Sequence, residues 1–563
     1  MPVKVITTEL GHSIPPEGPH TITTHAPGWD TAIRFRSGDP ALFAQMKSMY
    51  PRFVPFCETR QLSAAIGSKL GFPEGYACLP FLSPDIFRLA TQFATNHHRD
   101  KDPKTKLTPQ ELLFRVADVA AVRLYVVAYP VHKTPGIIGL WQNLGTGIST
   151  RLSEHLLTQI DSLTAHLFSA NGGTLEGLAV PEPTYLPEGP EHGGLKERVV
   201  GLLKREAIKE VGVGKGDVYL YGAGMAAIYG AHQAMAKVRK GPVVALGSIF
   251  PSTYHLFGES PSGFKHFGDV RKDSGVLEKL EGYIQGEKAE GREVGYVFVE
   301  FPSNPILVSV DLKGLRGLAD KYGFPVVVDD TVGSFCNVDL LPAADVVVTS
   351  LTKSFSGYAN VMAGSVTLNP SSPHYPLLTS TLATIYHNEV FTSDAATLLS
   401  NSNDYLARST ILNRNALALT KFIESYITRP ESPVIAVLYP MTSDTLDNYR
   451  SFMRAPTAEF TLGYGCLFSI DFEDKECAKA FYDNLAVYCG PHLGANLTLA
   501  LPFNELVFGR DPDDAKHHAA YGNRAEQIRV SVGLEEEEEL IETFKVALGF
   551  AEAEKKRRNS TAH

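Results

Sequence analysis

Between residues 216 and 370 the chain alternates two kinds of hydrophobic pattern. Short unbroken apolar runs ("DVYLY", "PVVAL", "VGYVFVEF", "FPVVVDD", "ADVVVTS", "GSVTL") are rich in valine. Between them, in "GMAAIYGAHQAMAKV", "GVLEKLEGYIQGEK" and "LKGLRGLADKYG", apolar residues recur every three or four positions. A uniformly apolar, β-branched run marks a strand buried on both faces, and the wider spacing marks a helix with one apolar stripe. The alternation predicts an α/β fold with a mostly parallel sheet, joined by right-handed crossovers. The C-terminal ends of the strands then share one edge, where open α/β sheets bind ligands.

The flanking regions read differently. Residues 371 to 400 predict helix and connection. From about 401 a smaller α/β unit follows, with "GCLFSIDF" and "QIRVSVGL" as strands. Its closing helix, "EEEEELIETFKVALGFA", sets Leu540, Phe544 and Leu548 on one face and its glutamates at the dipole-favoured first turn. Residues 1 to 215 carry many prolines, an extended start and several helical stretches. In "STRLSEHLLTQIDSLTAHLF" the spacing of Leu152, Leu156, Ile160, Leu163 and Leu167 predicts one continuous helix. The expected division is an N-terminal extension over 1–215, a large domain over 216–400 and a small C-terminal domain over 401–563.

Composition narrows the class. The 563 residues are 44% hydrophobic and 20% charged, with a formal net charge of -10. That is ordinary globular chemistry, and its mild acidity without a basic stripe argues against a nucleic-acid partner. The basic run Lys555 to Arg558 is expected to be a solvated, frayed tail. Cys57, Cys78, Cys336, Cys466, Cys477 and Cys489 form no CxxC pair, which points to a reducing compartment with neither disulfide framework nor zinc site. No apolar leader and no membrane-length apolar run is present, so the expectation is a soluble cytoplasmic protein with no membrane partner.

Three features fall at predicted strand ends. "YGAGMAAI" is a strand, a glycine turn and a helix start, where the backbone N–H groups of Gly224 and Met225 form an anion cradle. It is neither a dinucleotide fingerprint nor a Walker loop. "VVVDDT" ends on Asp329, a residue that could equally form a turn. "VVTSLTKSFSG" places Lys353 among Ser350, Thr352, Ser354 and Ser356; the plain alternative is a lysine snorkelling to water. A phosphate cradle, an amine that forms a Schiff base and a carboxylate for a protonated ring nitrogen together constitute the logic of pyridoxal 5'-phosphate chemistry.

At this point the chain resembles a known family. "VVVDDTVGSF", "SLTKSFSG" and "NVMAGSVTLNP" look like the Cys/Met-metabolism group of fold-type I pyridoxal-phosphate enzymes. "TELGHSIPP", "MYPRF", "WQNLGTGISTRLSEHLL", "VEFPSNPIL", "GPHLGANLTLALPFN" and "IRVSVGLEEEEELI" extend the resemblance to the fungal cystathionine γ-synthase branch and its secondary-metabolism paralogues. The resemblance implies a seven-stranded-type large domain, a smaller C-terminal α/β domain and a long N-terminal extension.

It also implies roles. Lys353 is the Schiff-base lysine and Asp329 the partner of the pyridine nitrogen. Ser350 and Thr352, with the backbone of Gly224 and Met225, hold the phosphate. Phe250 stacks on the ring where the family usually has tyrosine, and Tyr254 nearby is a candidate source of the missing hydroxyl. Glu300 and Asn304 line the ring's other side. Arg529 grips the substrate α-carboxylate, which fits the expense of burying an unpaired arginine in an apolar strand. Tyr50 and Arg52 reach the phosphate of a neighbouring subunit, implying at least a dimer and commonly a homotetramer.

Other positions depart from the family pattern. "SGYANVMAGS" carries Tyr358, Ala359 and Ala363, Leu399 and Ser400 stand where an acidic-basic pair is usual, and His492 replaces a serine beside the substrate carboxylate. Tyr358 and His492 are thus the candidates for altered substrate choice. The implied reaction is γ-substitution on a homoserine ester such as O-acetyl-homoserine, by a thiol such as cysteine or by a carbon nucleophile such as a β-keto acid enolate. The alternatives are a γ- or β-lyase acting on cystathionine or methionine, and a non-catalytic paralogue.

Overall fold

A computed structural model describes residues 5–96, 105–509 and 511–561. Its centre is a seven-stranded sheet in the order Val218–Tyr221, Gly364–Leu368, Val346–Thr349, Val326–Asp329, Tyr296–Glu300, Val243–Leu246, Phe264–Phe267. All strands run parallel except Gly364–Leu368, which is antiparallel to both neighbours. The valine runs are buried on both faces because helices cover both sides. The short strand Phe264–Phe267 and the helix Pro251–Gly258 escape the sequence reading; the strand is an edge whose residues are only partly buried.

One face carries the helices Val276–Ala289, Leu312–Tyr322 and Pro190–Lys204. The last of these precedes residue 215, yet contributes Leu195, Val199, Leu202 and Leu203 to this core. On the other face lies the helix Gly224–Val238, and beyond it a second layer that sequence periodicity did not show. This is a four-stranded antiparallel sheet in the order Tyr76–Phe81, Val122–Pro130, Leu113–Val119, Thr164–Asn171. The helix expected to run through Leu167 is corrected here. It spans Thr150–Thr158, a 3-10 turn follows at Ile160–Ser162, and Thr164–Asn171 pairs with Leu113–Val119 as an edge strand. Strand pairing overrides the helical spacing and leaves Leu167 fully exposed.

The C-terminal unit is a five-stranded sheet in the order Val434–Leu438, Leu467–Phe472, Gln527–Ser531, Leu499–Leu501, Tyr488–Cys489, packed on the helices Tyr405–Ile427 and Glu537–Thr561. The basic run is no frayed tail: it lies in the last helix, where Lys555 pairs with Glu473 at 2.8 Å and Arg558 with Asp474 at 2.8 Å. Among the described residues no helix is long and apolar enough to cross a membrane.

Candidate active site

The strand ends build an anion cradle first. The helix Gly224–Val238 starts one turn beyond Tyr221. A Cβ at Gly224 would stand 2.7 Å from Ser350 Oγ, so only glycine lets that hydroxyl meet the helix N-terminus. Ser350 is held there by its N–H, which donates to Thr331 Oγ1 at 2.8 Å. A loop from the N-terminal region presses on the same turn: Gly145, with φ of +68°, has room for no Cβ because Ala226 N would lie 2.2 Å away. Arg52 donates to the Thr146 carbonyl at 2.9 Å and to that of Trp141, and its guanidinium lies 4.2 Å from the Trp141 ring centroid. Burial lowers its pKa to about 9, so it stays a cation at neutral pH. Arg52 Nε and Thr146 Oγ1 are buried without partners. A helix N-terminus, a hydroxyl and a buried cation with an unused N–H answer a phosphate dianion.

The next two strands supply carboxylates. Register sets Glu300 beside Asp329 on adjacent parallel strands, and Asp329 beside Val348. Asp329 accepts the Thr331 N–H at 2.9 Å, and desolvation lifts its pKa to about 6. Desolvation and the neighbouring Asp329 charge lift Glu300 well above the usual carboxylate range. Glu300 accepts the Phe250 N–H at 2.5 Å, which fixes the turn leading into the helix Pro251–Gly258 and leaves Phe250 half-buried beside it. Asp330 accepts from Thr349 Oγ1 at 2.6 Å, one position out of phase with Asp329 and so on the opposite face.

Lys353 stands beyond the end of Val346–Thr349, and its Nζ donates to the Tyr50 hydroxyl at 3.2 Å. The resemblance implies that Tyr50 and Arg52 reach the phosphate of a neighbouring subunit; within this chain Tyr50 meets Lys353 and Arg52 meets the 141–146 loop, and the segment 5–56 folds across the C-terminal unit. A second loop closes in from residues 490–494. Gly494, with φ of +74°, would place a Cβ 2.5 Å from Ser354 N, and its N–H donates to Ser531 Oγ at 2.9 Å. This approach carries His492 to within 6.1 Å of the Tyr50 ring, between centroids. His492 is buried and neither ring nitrogen has a partner. Burial and the charges of Lys353 and Arg529 push its pKa well below the ordinary histidine value, so it is neutral.

Arg529 projects from the strand Gln527–Ser531. It donates to the Pro491 carbonyl at 2.7 Å and to Asn304 Oδ1 at 3.4 Å, over the Phe503 ring at 4.6 Å. Desolvation lowers its pKa to about 9. It is 3% exposed, and among the described residues no carboxylate pairs with it.

Three more of the expected residues have partners of their own. Thr352 Oγ1 accepts from Ala363 N and donates to Ala363 O, each at 3.1 Å, so it braces the start of Gly364–Leu368 rather than standing free at the cradle. Tyr358 is 40% exposed and donates to Asp404 beside Arg408. Tyr254 sits in a ring cluster with Phe264, His266, His517 and His518, and supplies no hydroxyl beside Phe250. Leu399 packs against Gly194 as a core contact. The sequence reading assigned no role to Trp141, Gly145, Thr146, Gly494 or Ser531. The glycines of "NLGTG" and "GPHLG" were the available signal, since each marks a close backbone approach.

The family described as "Cys/Met metabolism PLP-dependent enzyme" matches residues 204–549. The chain belongs to this family. It is similar to "Alanine racemase ungC" of Aspergillus violaceofuscus, 32% identical and covering 94% of both chains. It is also similar to "Cystathionine gamma-synthase-like enzyme iboG2" of Amanita muscaria, 31% identical and covering 97% of each. Its fold matches that of the cystathionine gamma synthase from Xanthomonas oryzae pv. oryzae in complex with aminoacrylate and cysteine, at TM-score 0.51 and 22% identity over 65% of this chain and 87% of that one. As a member of the Cys/Met-metabolism family the chain is a pyridoxal 5'-phosphate-dependent enzyme. The residues present fit that cofactor: the Arg52 Nε–H and the Thr146 hydroxyl are buried and unused beside the glycine turn, and a carboxylate and a lysine follow along the same edge.

Proposed function

We propose that the enzyme catalyses γ-substitution on an activated homoserine ester, with O-acetyl-homoserine as donor and a thiol or a stabilised carbanion as nucleophile. The observation carrying this reading is Arg529, a buried guanidinium without a carboxylate partner among the described residues, whose charge and that of Lys353 act on the same buried imidazole, His492. Arg529 answers the carboxylate of an α-amino acid, and Lys353 is the amine for its Cα proton.

Pyridoxal phosphate, when bound, takes up the electron pair released at Cα. Its phosphate is assigned to Ser350, Arg52 and the backbone of Gly224 and Met225, its ring nitrogen to Asp329, and one ring face to Phe250. Glu300 shapes the Phe250 turn, and Asn304 orients Arg529. Lys353 moves the Cα proton as general base, with the Tyr50 hydroxyl 3.2 Å away to hold its lone pair or its proton. Arg529 fixes the carboxylate so that Cα–H faces Lys353. Assembly into at least a dimer belongs to this reading, and light scattering tests it.

The deciding experiment incubates the holoenzyme with O-acetyl-homoserine and either cysteine or acetoacetate, followed by mass spectrometry. Acetate release with a cystathionine or carbon-adduct mass supports the reading. 2-Oxobutyrate from a single amino acid would make the enzyme a lyase. Loss of chirality at Cα, with solvent deuterium gained and no leaving group released, would make it a racemase, the activity in the name of one relative.

A further inference from the structure

We infer that His492 is the acceptor-side base, taking the proton of the incoming nucleophile as it bonds to the donor's γ-carbon. The inference rests on the γ-substitution reading and adds a residue role to it. The geometry is that of a buried imidazole 6.1 Å from the Tyr50 ring, between centroids, and within reach of the charges of Lys353 and Arg529. Lys353 Nζ is engaged by Tyr50 at 3.2 Å, and Arg529 has its guanidinium for the donor's carboxylate. The 491–494 loop supports Arg529 through main-chain carbonyls, at 2.7 Å from Pro491 and 3.5 Å from His492, so the His492 side chain has no structural bond to make. Both of its ring nitrogens are unpartnered although the residue is 1% exposed.

A neutral imidazole has one N–H and one lone pair. The donor's carboxylate can satisfy only the N–H, because it brings no proton. The lone pair needs an acidic X–H, which a thiol or the α-carbon acid of a β-keto acid provides. In the exchange the ester C–O bond breaks first, its electron pair leaving on the carboxylate after Lys353 has taken the donor's proton. X–H then breaks with its proton passing to His492 as X–C forms at the γ-carbon, and Lys353 returns its proton to the donor carbons. His492 then returns the proton to solvent or to that carboxylate, so the exchange is balanced without any redox partner. The charges of Lys353 and Arg529 oppose protonation of His492. A carboxylate on Arg529 cancels one of them, so the base gains strength once the donor is bound.

The test compares wild type with His492→Phe, which keeps the ring and deletes both nitrogens, and His492→Asn, which keeps a donor and an acceptor but takes no proton. For each holoenzyme the ratio of substitution product to 2-oxobutyrate from O-acetyl-homoserine is measured with cysteine, together with calorimetric binding of 3-mercaptopropionate, a thiol without an amine to engage the cofactor. The expected result is a fall of about tenfold or more in the ratio for both variants. Thiol binding should be lost in His492→Phe and largely kept in His492→Asn, with a melting temperature for His492→Phe no lower than wild type, since an unpartnered buried polar group is removed. An unchanged ratio with unchanged binding overturns the inference, as does a lowered melting temperature with both products reduced equally, which would make His492 structural. If wild type releases no acetate, the γ-substitution reading fails. The binding arm then decides alone: thiol affinity that survives in His492→Phe overturns the role of His492.

Discussion

At the residue scale the site is an arrangement of buried charge. Lysine in place of Arg529 would keep the charge and lose the planar fork, so Arg529→Lys should raise KM for the amino-acid donor about 10- to 100-fold, the worth of roughly 1.5 to 3 kcal/mol for a hydrogen bond to a charged group. Steady-state kinetics that leave KM unchanged would remove Arg529 from the substrate site. The Glu300–Asp329 pair makes a different prediction. Both folded-state pKa values are raised, Asp329 to about 6 from 3.8, so the stability from their protonated forms is full at acid pH and is lost as pH rises through the folded values. Glu300→Gln keeps the oxygen that accepts the Phe250 N–H and removes one ionisable group. Cofactor-free Glu300→Gln should therefore melt above the wild type at pH 7, with the difference closing towards pH 4; a gap independent of pH would show that the two carboxylates do not strain each other.

At the element scale the cradle depends on glycine where a helix start meets a strand end. Gly224→Ala would drive a methyl into Ser350, 2.7 Å away, and should weaken cofactor binding by about tenfold or more, read by titrating visible absorbance. An affinity equal to wild type would move the phosphate elsewhere. The N-terminal sheet tests the correction at Leu167. Phe114, fully buried and stacked on Phe87 at 4.6 Å, should lose about 3 to 5 kcal/mol on truncation to alanine. Leu167→Ser, on the exposed edge, should stay within about 0.5 kcal/mol of wild type. Denaturant melts showing a large loss at Leu167 would restore the longer helix. The strands of the central sheet were legible because a valine run covered on both faces looks the same wherever it occurs. Thr164–Asn171 was not legible, because only its partner strand distinguishes it from a helix end.

At the scale of the whole molecule, the leader acts as a strap. The Gly11 carbonyl accepts from Lys47 N at 2.8 Å and Ser48 N at 2.9 Å, while Ala26 N donates to Cys489 O and Ile22 N to Ala359 O, each at 2.8 Å. Tyr50 is thereby tied to the C-terminal sheet and to the loop after Lys353. Gly11 has φ of +87°, and a Cβ there would fall 2.5 Å from Gln45 O. Gly11→Val should loosen this strap, lowering kcat/KM and exposing the 40–56 segment to protease while visible cofactor absorbance persists; a variant as active and as protease-resistant as wild type would separate the leader from the site.

The sequence by itself determined the α/β architecture, the glycine turn at Gly224, and Asp329 and Lys353 on one sheet edge. Each of these follows from a local pattern whose burial and chain direction are dictated by a few neighbouring residues. Tertiary structure alone decided that Tyr50 meets Lys353, that the Thr352 hydroxyl is tied to Ala363 and that of Tyr358 to Asp404, and that the His492 ring stands without a hydrogen-bond partner beside Tyr50. Side-chain direction and long-range closure govern those outcomes. The contact between Lys353 and Tyr50 spans 303 positions, and no short-range periodicity encodes a contact of that reach.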